Sequence, residues 1–236
     1  KGGKVQDVNY HFTGALRAVR SDVLVKGRRL EATELDVTVD NTGLRISGPG
    51  RIDGVAFNGA WEQPIGKGAA QSALRGQVTL DQAALDAFGV ALPEGTVSGQ
   101  AQADIALDFA RGETPRFALT SALQGVRLRV PQLSWTKAAS TRGQLNISGR
   151  LGDPAQIDSL SVGGPGLSAK GTVDLNAGGS LDRVRFTSLS AGQWLNAPVD
   201  LIGQGAGRPV KVAVRGGSLD LRRAEFGPSQ GGSAGP

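Results

Sequence analysis

Apolar and polar residues alternate along most of this chain with a period of two. The longest run places Val97, Gly99, Ala101, Ala103, Ile105, Leu107 and Phe109 on one face. Thr96, Ser98, Gln100, Gln102, Asp104 and Asp108 take the other, and Ala106 alone breaks the pattern. Successive side chains of an extended strand point to opposite faces, so the thirteen residues from Val97 to Phe109 predict one long strand with a single apolar face. Shorter versions run over Leu35–Val39, Leu74–Leu80, Leu145–Leu151, Leu167–Leu175 and Val210–Val214. Turn-forming clusters separate them: Asp40-Asn41-Thr42-Gly43, Gly48-Pro49-Gly50, Arg111 to Pro115, Gly163 to Gly166, Asn176 to Gly179 and Gly216-Gly217. The pattern predicts hairpin after hairpin.

One segment departs from it. Asp81 to Phe88 has an N-cap residue, good helix formers behind it, and Leu85 and Phe88 three apart, so a short helix is predicted near 81–88. Gly89 and Pro93 follow as stop signals. A second brief helical turn is predicted around Ala191 to Leu195. Arg75-Gly76-Gln77-Val78, Ser98-Gly99-Gln100-Ala101, Arg142-Gly143-Gln144-Leu145 and Lys170-Gly171-Thr172-Val173 form a weak internal repeat. Glycine weakens a strand interior, so its recurrence there predicts bends or bulges that curve the sheet. Residues 1–226 read as one β-segment, and Gly227 to Pro236 as a flexible Gly/Ser/Pro tail.

Composition narrows the field. The chain has 236 residues, enough to bury a core. Its 36 glycines show no collagen period. It has no cysteine, which excludes disulfides, thiolate metal sites and cysteine nucleophiles. Methionine is absent even at position 1, which suggests a piece of a longer chain. No apolar run approaches the roughly 18 residues of a membrane helix. The net charge of +5 would suit nucleic acid. Yet the basic residues are scattered and alternate with apolar ones, and no aromatic is interleaved with them as a stacking platform. No nucleic-acid partner is expected. Weak attraction of the scattered basic residues to a membrane surface fits better.

Candidate chemistry is sparse. His11 is the single histidine, too few for a triad or a histidine metal site. Ser134-Trp135-Thr136-Lys137 fits Ser-x-x-Lys, but neither Ser-Asp-Asn nor Lys-Thr-Gly accompanies it. Gly164 to Ala169 fits G-x-G-x-x-A but leads into a strand, not a helix that could hold a pyrophosphate. Asp104, Asp108, Asp174, Asp182 and Asp220 fall on polar strand faces or in turns, with no pair marked as acid and base. No catalytic residue, metal or cofactor is expected.

What remains is the apolar face itself, which a sheet, a helix or a ligand must cover. Val97, Ala101, Ala103, Ile105, Leu107, Phe109, Leu145, Ile147, Val173 and Leu175 are its candidate lining. Two all-β architectures stay open: a closed β-sandwich with a dry core, or a curved sheet whose concave side holds acyl chains.

Several segments add a resemblance. Ala87-Phe88-Gly89-Val90-Ala91-Leu92-Pro93 with Val97-Ser98-Gly99 is similar to a segment of the AsmA-like proteins of proteobacteria, in their long YhdP/TamB-type branch. So is Leu123 to Leu128 with Pro131-Gln132-Leu133-Ser134-Trp135-Thr136-Lys137, close to that branch's Pro-x-Leu-Gly-Trp-x-Lys. Gly163 to Gly171 and Val214 to Arg222 resemble the region near its C-terminus. Ser134 stands where the branch has glycine, a difference of little consequence on a strand. The resemblance covers about residues 41–226. It implies a taco-like β-groove of successive antiparallel strands, joined to neighbouring β-segments of a parent chain. Such a groove would be periplasmic, part of a protein anchored in the inner membrane, and would conduct phospholipid towards the outer membrane through contact with acyl chains. A structural or partner-binding envelope domain is the alternative.

Overall fold

A computed structural model describes residues 9–25, 28–66, 68–87, 92, 95–152, 154–177, 180–205, 208, 210–220 and 222. The strands, in chain order, begin with β1 (His11–Val25), β2 (Arg28–Asp40), β3 (Gly43–Ile52), β4 (Val55–Pro64) and β5 (Ser72–Leu80). After helix α1 (Gln82–Ala87) come β6 (Val97–Gly99), β7 (Ala101–Phe109), β8 (Arg116–Ser121) and β9 (Val126–Val130). A single 3-10 turn (Pro131–Leu133) precedes β10 (Trp135–Lys137), β11 (Gln144–Arg150), β12 (Gln156–Gly164) and β13 (Leu167–Leu175). The last are β14 (Leu181–Ala191), β15 (Leu195–Ile202), β16 (Lys211–Val214) and β17 (Ser218–Leu219).

The protein is all-β, as its alternation predicts. Fourteen strands share one sheet in the order β1-β2-β3-β4-β5-β7-β8-β11-β12-β13-β14-β15-β16, with β17 beside β15. Neighbours in space are nearly always neighbours in sequence, so short turns suffice to connect them. The order is linear and does not close into a barrel. Three short strands form a second sheet, β10-β9-β6. The chain divides into two compact units, Lys1–Thr79 with Asp104–Ala118, and Leu80–Ala103 with Leu119–Pro236. Strands β7 and β8 contribute residues to both.

Three local expectations are corrected. The run from Val97 to Phe109 is two strands in different sheets, because Gly99 takes φ 86° and turns β6 out of line with β7. Gly48-Pro49-Gly50 lies inside β3, and the turn comes later, at Asp53-Gly54, with φ 49° and 84°. Two positive φ values are those of a type I′ hairpin turn, for which Asp-Gly is a favoured pair. Ala191 to Leu195 is the tight β14–β15 turn, closed by the Ala191↔Leu195 pair. The helix is present at Gln82–Ala87, with Asp81 Oδ1 accepting the Ala84 amide at 2.9 Å as its cap. Phe88, Gly89, Pro93 and the tail from Gly227 lie outside the described residues.

Candidate functional site

In the first unit, strand registers assemble an apolar face row by row. Val37 lies opposite Ile46, Ile46 opposite Trp61, and Trp61 opposite Leu74. Leu30, Ile52 and Val55 make a second row, and Phe57 and Val78 face each other between the two. Gly48, Gly59 and Gly76 line up across three strands in the middle of this face. A Cβ on Gly76 would stand 2.5 Å from the Asn58 carbonyl oxygen and 2.6 Å from Gly59 Cα. Glycine here is what lets the two backbones approach. The described strands of this unit all belong to the large sheet; on this face Leu30, Leu35 and Val55 are buried, while Val37, Ile46, Phe57, Trp61 and Leu74 remain only half-buried.

Of the candidate lining, Ile105, Leu107 and Phe109 belong to this unit: Leu107 is buried, Ile105 and Phe109 half-buried. Asp104 and Asp108 alternate with them and face water. Asp104 Oδ1 accepts from Gln77 Nε2 at 3.1 Å, and Asp108 pairs with Arg75. Arg45 and Glu62 pair on the same polar side, so this face is laced by cross-strand charge pairs.

In the second unit the face is built the same way but is covered. Leu145 lies opposite Val162, Val162 opposite Ala169, Ala169 opposite Leu189 and Leu189 opposite Ala197. Ile147, Leu160, Gly171, Phe186 and Val199 form the next row, and Val173, Val184 and Leu201 the one after. Leu145, Ile147, Val173 and Leu175 are half-buried members of this surface, and Leu175 faces Leu181. Ala101 and Ala103 are buried at the start of β7, whereas Val97 lies in the small sheet. That small sheet closes over the rows: Trp135 is part of the buried cluster with Leu167, Ala169, Phe186, Leu189 and Val199. Leu128, Val130 and Leu133 pack against the same cluster.

Two side chains fix the cover. Trp135 Nε1 donates to the Pro165 carbonyl at 2.7 Å, and its ring lies where a Cβ on Gly164 would be, 3.0 Å away. Lys137 is 1% exposed, and its Nζ donates to the carbonyls of Leu123 (2.6 Å), Val126 (2.7 Å) and Ala138 (3.1 Å). An ammonium has three donors, and all three are engaged. Burial pushes the Lys137 pKa below its ordinary value, and the negative ends of three carbonyls oppose that shift. Gly143 makes room, since a Cβ there would meet Lys137 Cε at 2.9 Å. Ser134, which begins the Ser-x-x-Lys match, is the left-handed residue (φ 49°, ψ 33°) that ends the 3-10 turn. It is not on a strand, so the glycine expected there matters after all: it would take this conformation without a Cβ penalty.

The remaining chemistry-bearing residues have ordinary partners. Asp174 pairs with Arg185 at 3.1 Å and Asp158 with Arg150 at 3.1 Å. His11 is exposed and faces Asp40 across β1 and β2. Among the described residues no group of three or more His, Asp or Glu could hold a metal ion. The in-register rows through Trp61 and through Phe186 escaped the sequence reading. The glycines and Pro49 interrupt the alternation of β3 and β4, and only pairing reveals that the faces match. No family model, characterised protein or solved structure matches this chain.

Proposed function

We propose that the chain is a non-enzymatic lipid-binding segment whose apolar sheet face carries phospholipid acyl chains. The observation that supports it best is the first unit's apolar face, where Val37, Ile46, Trp61 and Leu74 stand in register and only half-buried. Each buried methylene of an acyl chain contributes about 0.8 kcal/mol, so such a face can hold a chain by burial alone. The resemblance to AsmA-like proteins adds the setting. The segment would work in the periplasm, as part of an inner-membrane-anchored protein, moving phospholipid between inner and outer membranes for outer-membrane biogenesis. Neighbouring β-segments would continue its sheet, and scattered basic residues would favour anionic membrane surfaces.

Native mass spectrometry of the delipidated chain, reloaded with phospholipid, tests this directly: bound lipid is expected, and its consistent absence would sink the proposal. Ile46→Asp and Leu74→Asp, both half-buried on the first unit's face, add a functional arm. An open face can hydrate the new carboxylate, so the melting temperature should hold while lipid carriage falls. Unfolding at both positions would favour the second reading, a structural or partner-binding envelope domain with a dry core. The Trp135-covered cluster of the second unit is the observation on that side.

A further inference from the structure

The three-stranded sheet over the second unit is not an independent layer. β6 runs straight into β7, and β8 leads into β9, so two of its strands extend main-sheet strands beyond a bend. The bend is concentrated in three residues: Gly99 (φ 86°), Leu123 (φ 49°) and Gly125 (φ 95°). A Cβ on Gly99 would strike the Gly125 carbonyl oxygen, and one on Gly125 the Gln100 carbonyl oxygen. Beyond it, β6, β9 and β10 hydrogen-bond as a sheet of their own. The chain then returns, with Gly125 N–H bonded to Ala139 O and Gly143 N–H to Ala122 O, both at 2.8 Å. Lys137 sits between these two legs and holds Leu123, Val126 and Ala138 together.

We propose that β6-β9-β10 is a displaceable cover, folded onto the apolar face of β12–β15 where an acyl chain would lie, with Lys137 as its latch. This rests on the lipid-binding reading above. The surface beneath is Leu167, Ala169, Leu189, Ala197 and Val199, all buried. What Trp135, Leu128 and Val130 bury there, an acyl chain could bury equally well, so exchanging one for the other leaves little apolar surface exposed to water. The opposing cost lies at the hinge, where three carbonyls lose an ammonium donor if Lys137 withdraws. Lys137 therefore decides how often the cover lifts, while contacting no lipid itself.

The chain's three tryptophans allow a direct test. With Trp61→Phe and Trp194→Phe, Trp135 becomes the single emitter, and vesicles of phosphatidylcholine with brominated acyl chains quench it only on contact. Quenching should be slow with Lys137 present and at least about threefold faster or more complete with Lys137→Met, because a lost buried hydrogen-bond partner weakens the closed state. Equal quenching in both backgrounds would overturn the latch. No quenching in either, while native mass spectrometry finds lipid on the Trp61→Phe, Trp194→Phe chain itself, would overturn the cover and leave the lipid-binding reading standing. No bound lipid at all would remove both. If Lys137→Met does not fold, hydrogen exchange on the unaltered chain decides. Amides of Val126–Val130 and Trp135–Lys137 should exchange about tenfold faster than those of Leu167–Leu175, and faster again with lipid, as a sub-global opening requires. Equal protection of the two sets, or slower exchange of the cover with lipid, would overturn the proposal.

Discussion

Ser134 holds a conformation that a residue with a Cβ adopts at a cost, φ 49° and ψ 33°, at the end of the Pro131–Leu133 turn. Ser134→Gly should raise stability by about 0.5–1 kcal/mol, the left-handed penalty less glycine's larger unfolded-state entropy. Chemical denaturation measures it, and a loss of stability would show that the serine hydroxyl makes a bond worth more. Asp40 provides a titration test. Its Oδ1 accepts the Thr42 hydroxyl at 2.6 Å and the amides of Thr42 and Gly43 at 2.7 and 3.1 Å, which holds the carboxyl below the usual 3.8. The group therefore favours the folded state above pH 3.8, and that contribution fades as pH falls through the lower folded value. Carboxyl NMR should find the midpoint below 3.8, and Thr42→Val should raise it. Lys137 and Trp135 were not legible at this scale. Their roles depend on Gly143, Gly164 and Pro165, up to thirty residues away in the chain, and on the burial of a residue type that is almost always exposed.

Among the elements, period two identified strands well and sheets poorly. Alternation from Val97 to Phe109 is real on both sides of Gly99, yet it says nothing about which partner each half pairs with, and β9 claims the first half. The same limit hid the hairpin at Asp53-Gly54: Gly48-Pro49-Gly50 carries the stronger turn composition, but its glycines serve as places where neighbours close in. Leu35 Cδ2 lies 3.1 Å from a Cβ built on Gly48, and the Phe57 ring 2.7 Å from one on Gly50. Strand glycines should thus differ sharply in tolerance. Gly76→Val drives a side chain into the backbone of Asn58 and Gly59 and should cost about 1–3 kcal/mol, as overpacking does. Gly14→Val, in β1, meets nothing within 4 Å and should be neutral or stabilising, since valine favours extended backbone. Denaturant midpoints for the two variants compare them directly, and equal losses would mean the close approach at Gly76 is unimportant.

Among the described residues, the linear order leaves β1 and β16 as edge strands, and both carry apolar side chains into solvent. Phe12 is 65% exposed and Val212 53%, with Leu16 and Val214 also exposed. Edge strands of this kind pair readily with other chains. The purified protein should associate as its concentration rises in light scattering, and Phe12→Lys with Val212→Lys should return it to monomer. A strictly monomeric species at high concentration would count against that. The same strand order sets how the molecule answers force. Each strand from β12 to β14 is held by partners adjacent in sequence, so a load on the chain ends peels strands from the edges and breaks their bonds a few at a time. Resistance is never shared by a whole ladder in shear. In an optical trap the protein should therefore lengthen through a series of small, low-force steps, each releasing one strand or hairpin, and a single cooperative rupture would contradict it. A tether built this way yields gradually under tension and can re-form one strand at a time when the load is released.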